Sequence, residues 1–182
     1  MPVTGKGKGE IVLTGSLGNV MKESARTVLG LLRATARHHG LGEPDLHRDV
    51  YIHVPDAATP KDGPSAGCAL FAAIVSSFTN RPVHADVAVT GELSLTGEVL
   101  AVGGVREKVT AAERAGMRAV VVPEDNRADV PKGTTIQIIY ASQVHEVLRA
   151  LLTDEPATAR SAAAPQVKAA RKRGKGASEE TT

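Results

Sequence analysis

The apolar positions of this 182-residue chain change period along its length, and each change marks an element. "GEIVLTGSLG" alternates apolar and polar residues and then runs into turn formers, which predicts a short strand. In "NVMKESARTVLGLLRATARHHG" the spacing becomes helical. Met21, Ala25, Val28, Leu32 and Ala36 share one face, and Lys22, Arg26, Arg33 and Arg37 take the other. Gly40 is the expected stop. "HRDVYIHVP" returns to alternation, with Val50, Ile52 and Val54 on one side of a strand. A loop of small and turn-forming residues, "DAATPKDG", then leads into an apolar helix from about Ser65 to Phe78. "DVAVTGELSLTGEVLAVGG" reads as strands folded on Thr96-Gly97. A helix over "VREKVTAAERAG", strands over "RAVVVP" and "TTIQIIYA", and a helix over "QVHEVLRALL" complete the series. The predicted order β-α-β-α-β-β-α-β-β-α is mixed α/β with no internal repeat, in a chain long enough for one domain with a real core. "GKGKGE", ahead of the first strand, reads as a flexible run.

Composition sharpens this only at two points. The chain has two Phe, two Tyr and no Trp, so Val, Ile, Leu and Ala must fill the core. It has one cysteine, which excludes an internal disulfide and suits a reducing, cytoplasmic compartment. "MPVTGKGKGEIVLTG" lacks the apolar stretch of a secretory signal, and the longest apolar run, "AGCALFAAIV", is too short for a membrane span, so no membrane partner is expected. The net charge of +2 is unevenly placed. Residues 155–182 hold six basic and three acidic groups, leaving 16 basic and 17 acidic among residues 1–154. The expected division is therefore a folded domain over residues 1–153 and a basic, disordered tail over 154–182. "KAARKRGKG" in that tail could contact nucleic acid weakly through phosphates, although a solvated tail is the simpler reading.

The candidate chemistry centres on "PKDGPSAG". Gly63-Pro64-Ser65-Ala66-Gly67 fits G-x-S-x-G, the nucleophile elbow of α/β-hydrolases. That elbow joins strand and helix directly, whereas eight residues separate Val54 from Gly63 here. The triad order also requires a histidine after the serine; only His84 and His145 follow, one before a strand and one on the polar side of the last helix. A phosphate cradle is a second reading, because a helix N-terminus can aim N–H groups at an anion. No G-x-x-x-x-G-K-[ST] string occurs, however, so ATP binding by this chain is not expected. The third reading is a serine activated by a lysine. Lys108 follows the Gly103-Gly104 turn in "AVGGVREKV", at the start of a helix.

The strings "LTGSLGNVMKESA", "YIHVPDAATPKDGPSAG", "ADVAVTGELSLTGEVLAVGGVREKV" and "VVVPEDNRADV" run collinearly from about Gly5 to Leu152. Together they resemble the proteolytic domain of the ATP-dependent Lon proteases. The resemblance implies the mixed-sheet fold of that domain, related to ribosomal protein S5 domain 2, with Ser65 as nucleophile and Lys108, 43 positions later, as its base. Thr90 matches a family threonine that orients the lysine, and Glu92 matches an acidic position near it. Each also has an ordinary reading, as a strand threonine and a hairpin-edge carboxylate. The resemblance further implies unfolded or damaged protein substrates, a homohexamer, and ATP and Mg²⁺ bound only in a separate ATPase module. That module and the first strand of the family domain are expected to be absent from this chain, and "GGLKEK" of the family reads "GGVREK". A catalytically silent assembly or regulatory module is the alternative function.

The residues themselves support the dyad. A serine at a helix start has N–H groups nearby for an oxyanion, and Pro64 suits a first helical position. Lysine is a poor base in water, with a pKa near ~10.4, and becomes useful only when burial lowers it. Asp62 could bias the serine loop through its charge or simply accept a local turn hydrogen bond beside Gly63. His53 points away from Ile52 and Val54 and reads as a surface histidine more readily than a participant. Cys68 reads as a small buried residue. No cluster has metal-ligand spacing, and no metal is expected.

Overall fold

The computed structural model describes residues 2–42 and 47–154. In chain order the elements are β1 (Pro2–Lys6), β2 (Ile11–Thr14), α1 (Asn19–Thr35), β3 (Arg48–His53) and α2 (Gly67–Thr79). There follow β4 (Val87–Val89), β5 (Glu92–Leu93), β6 (Val99–Leu100), α3 (Val105–Arg114), β7 (Ala119–Pro123), β8 (Gln137–Ala141) and α4 (Val144–Leu151). Short 3₁₀ turns cover Ala36–His39 and Glu124–Asp129. The expected tail falls outside the described residues, apart from Asp154.

Two three-stranded sheets organise these elements. In the first, β3 lies between β1 and β2, antiparallel to β1 and parallel to β2, with Ile11 opposite Val50. The parallel pair is possible because α1 supplies the crossover between β2 and β3. In the second sheet, β4, β7 and β8 are all parallel, with β7 central, and α3 is the crossover from β4 to β7. The antiparallel pair β5–β6 stands apart as a small hairpin, turning at Gly97 with φ of 88°.

The apolar pattern maps onto two packed layers. Val28, Leu29, Leu31 and Leu32 of α1 share one core with Val50 and Ile52, the apolar side of the predicted β3 alternation. Phe71, Ile74 and Val75 of α2 fill the centre, and Val147, Leu148 and Leu151 of α4 close it. Phe71 is fully buried, and burying an aromatic of that size stabilises by roughly 1.5–3 kcal/mol. The unbroken apolar run of "AVVV" has a direct cause. Ala119 and Val121 enter this main core, while Val120 and Val122 pack beneath α3 with Val105 and Val109. Gly40 ends the α1 region as expected, left-handed at φ 71° with its N–H on the Arg37 carbonyl. Among the described residues no helix is long and apolar enough to cross a membrane.

Three expectations shift. "GKGKGE" is not simply flexible: Gly5 and Lys6 belong to β1, an edge strand held by β3. Asp49 then fixes the following loop, its Oδ1 accepting the N–H groups of Lys8 and Glu10 at 2.9 Å each. The strand expected over "TTIQIIYA" begins only at Gln137, because Thr134 and Thr135 turn their hydroxyls to the Glu113 carboxylate. The central helix begins at Gly67 instead of Ser65, which leaves the serine in the preceding turn and Pro64 short of the first helical position.

Candidate active site

The serine loop is pinned to the rest of the fold before it reaches Ser65. Lys61 N–H donates to Ser16, Gly18 N–H donates to Lys61 at 2.7 Å, and the two segments run as a short parallel bridge. Asp62 Oδ1 then accepts the N–H of Met21, in the first turn of α1, and that of Gly63, both at 2.9 Å. The Met21 bond, followed by the Gly63 bond, holds this exposed carboxyl below the usual carboxylate range. Asp62 is thus more than a local turn residue. It joins the serine loop to a helix that starts about forty positions earlier in the chain.

A tight turn follows. Gly63 has φ of 117°, a conformation that L side chains rarely adopt, and Gly67 N–H donates to Pro64 at 3.0 Å. The turn is sewn to the end of β4 from both sides. Gly91 N–H donates to the Ser65 carbonyl, and Cys68 N–H donates back to the Gly91 carbonyl, each at 3.1 Å. Only glycine fits at 91: φ is 159°, and a Cβ there would come within 2.7 Å of Cys68 Sγ. These bonds also occupy the Gly67 and Cys68 N–H groups, so an oxyanion would have to use donors earlier in the turn.

Lys108 arrives from the other side. It sits in the first turn of α3, whose entry bends at left-handed Gly104 with φ of 70°. Its Nζ donates to Thr90 Oγ1 at 3.2 Å and to the Gly103 carbonyl at 2.9 Å. Thr90 is 5% exposed, and its own hydroxyl donates to the Ser65 carbonyl at 3.4 Å, a long bond. The link from lysine to serine therefore passes through Thr90. Ser65, Thr90 and Lys108 line one cavity of about 480 Å³, walled by Ala69, Met117 and Val120. Burial holds the Lys108 amine below the ordinary lysine value, with the neighbouring Glu107 carboxylate opposing that shift.

The hydrogen bonds limit what the amine can do. The Thr90 hydroxyl gives its proton to Ser65, so it must accept from the lysine. A neutral amine has two N–H donors and one lone pair, and Thr90 and Gly103 take both donors. The lone pair remains as a proton acceptor, in a cavity shared with the Ser65 side chain.

The other candidates are not brought to this cavity. Glu92, expected near the lysine, lines a separate cavity of about 260 Å³ with Glu23, Ser24 and Pro64. The pleat of β5 explains this, since neighbouring Leu93 takes the buried side. His53 is exposed at the end of β3, its Nδ1 2.8 Å from Thr14 Oγ1. Neither His84 nor His145 lines the cavity, which leaves the hydrolase-type triad without its base. Cys68 is buried as expected, and its thiol is pushed up to about 12 by that burial. Among the described residues, no group of three or more His, Cys, Asp or Glu side chains could hold a metal ion. Sequence reading passed over Asn126, in "VVVPEDN". Its only signal was an amide beside a buried strand, and it proves as buried as Thr90.

Comparison with known proteins identifies the family of the chain. Residues 2–154 match the Lon protease (S16) C-terminal proteolytic domain. The Lon protease of Xanthomonas oryzae pv. oryzae is 48% identical over 162 residues, covering 86% of this chain and 19% of that protein. The Lon protease of Fusobacterium nucleatum is 47% identical over 148 residues, covering 78% and 19% respectively. That of Escherichia coli K12 is 46% identical over 157 residues, covering 82% and 20%. The chain thus spans about a fifth of the length of these curated relatives. With most of its residues matched end to end, the chain belongs to the Lon protease (S16) proteolytic-domain family.

Proposed function

We propose that this chain is a serine endopeptidase domain working through a Ser65–Lys108 dyad. The observation that carries the reading is the hydrogen-bonded path from Lys108 Nζ through Thr90 to the Ser65 backbone, with serine and lysine lining one cavity. Neutral Lys108 takes the Ser65 proton as Oγ attacks a peptide carbonyl, giving a tetrahedral intermediate. The ammonium then protonates the departing amine, leaving an acyl-serine. A water molecule, deprotonated by the same amine, releases the second product and restores the hydroxyl. Family membership extends the reading to unfolded or damaged protein substrates, as in protein quality control, and to assembly as a homohexamer. ATP and Mg²⁺ belong in this reading to an ATPase module, since these 182 residues hold no phosphate-loop string.

A fluorophosphonate probe tests the dyad on the purified chain. Covalent labelling at Ser65, lost in Ser65→Ala and accompanied by casein cleavage, is the expected result. A folded chain that neither labels nor cleaves overturns it in favour of a silent assembly module. Retained cleavage by folded Ser65→Ala would move the nucleophile elsewhere.

A further inference from the structure

Among the described residues only two polar side chains are buried, Thr90 and Asn126, each 5% exposed. A buried amide is retained only where its hydrogen bonds are made, and those of Asn126 are specific. Its Oδ1 accepts the Val102 N–H at 2.9 Å, and its Nδ2 donates to the Val102 carbonyl at 3.0 Å. The side chain thereby pairs with one residue of the Val102–Gly104 loop as a neighbouring strand would. Nδ2 also donates to Asp129 at 2.7 Å, which fixes the orientation of the amide. The next residue of the loop is Gly103, whose carbonyl holds Lys108 Nζ at 2.9 Å. The loop needs such a clamp. It has glycines at 103 and 104, and a Cβ at 103 would meet nothing within 4 Å, so apart from Val102 against the core beneath α3, no side-chain packing fixes the carbonyl of Gly103.

We propose that Asn126 is a positioning residue for the lysine base: it clamps Val102 so that the Gly103 carbonyl meets the Lys108 amine, while the Thr90 hydroxyl is the amine's second acceptor. The inference rests on the peptidase reading above. Asn126 does not touch the reacting atoms. It acts through one peptide unit, and its loss releases one of the two acceptors that aim the lysine lone pair.

The charged groups around the loop are Arg106 and Glu107 on α3 and Asp129 from the 3₁₀ turn; α2 and β4 bring none to the serine cavity. Release of the loop admits water to Lys108, so its titration moves up towards that of an exposed lysine. The wild-type chain, Asn126→Ala and Asp129→Ala are compared for cleavage of an unstructured fluorogenic peptide from about pH 6 to 10. In the same chains the Lys108 Cε resonance is titrated by NMR, assigned with Lys108→Arg. In Asn126→Ala we expect kcat at pH 8 to fall about tenfold, with KM changed less than about twofold, and both the alkaline limb and the Lys108 titration to move up. Asp129→Ala, a surface change, keeps the test open if Asn126→Ala does not fold. Loss of the Asp129 charge alone would move the lysine down, whereas loss of the clamp moves it up, by less than in Asn126→Ala. An unmoved limb and titration in a folded variant, or a downward shift, overturns the inference. Should the wild-type chain cleave nothing, the peptidase reading fails, and the NMR titration still decides whether Asn126 governs Lys108.

Discussion

Thr90 shows how much one hydroxyl can do at the residue scale. It is buried, accepts from Lys108 and donates to Ser65, so an isostere without the hydroxyl breaks two contacts and leaves the shape intact. Thr90→Val is expected to lower kcat by about ten- to a hundredfold, whereas Thr90→Ser keeps most of it. The stability cost should be modest, about 1 kcal/mol, because Gly91 still satisfies the Ser65 carbonyl. Steady-state kinetics with a thermal melt separates the two effects. In the proposed dyad lysine titration sets the pH dependence: the protonated amine is inactive, so kcat/KM should rise with pH, with burial placing that limb below the ordinary value of 10.5. Lys108→Arg should be inactive at every pH, since a guanidinium stays charged. A limb near the histidine range that survives Lys108→Arg would refute the dyad. Ser65 and Lys108 stand out as candidates in the sequence because each sits in a long, ordered motif. Thr90 reads equally as a strand residue, and Glu92 is expected near the lysine only from the family resemblance, because the sequence does not say which way a two-residue strand turns its side chain; Glu92 lines a different cavity. Asn126 was illegible: its partner is the backbone of a residue 24 positions away.

At the scale of elements, the apolar pattern identified all four α-helices among the described residues and the strands that bury one face or both. It failed where position depends on a distant side chain. The serine turn is such a case, since Asp62 anchors it to Met21 across 41 positions. Asp62→Ala should free the turn from α1 with the remaining fold intact. Amide exchange at Met21 and Gly63 should speed up by about tenfold or more, and peptidase activity should fall while far-ultraviolet dichroism stays unchanged. Equal protection in the variant would show that the parallel bridge at Lys61 suffices by itself. The edge strand β1 was hidden for a related reason. "PVTGK" has no alternation of its own and forms only because β3 offers a partner.

For the whole molecule, the same device recurs as a set of carboxylates tied to backbone or hydroxyl donors. Asp49 is held below its ordinary value by the Glu10 N–H first, Glu113 by the Thr135 hydroxyl and Glu146 by the Ser142 N–H, and Asp62 behaves likewise. A carboxyl lowered in the folded state binds fewer protons there than in the unfolded chain. Its contribution is complete above the ordinary values of 3.8 for Asp and 4.5 for Glu and disappears as pH falls through the folded values. The melting temperature should therefore hold down to those values and decline below them. A melting temperature unchanged at pH 3 would mean that these contacts do not matter to stability. The seam between α2 and Gly91 also contains the chain's single cysteine, fully buried three residues beyond the serine. A disulfide reagent such as Ellman's can reach that thiol only when the seam parts, and no other sulfhydryl competes for it. The rate of mixed-disulfide formation under native conditions thus times the opening of the serine turn, giving the protein an internal clock that needs no label or engineered reporter.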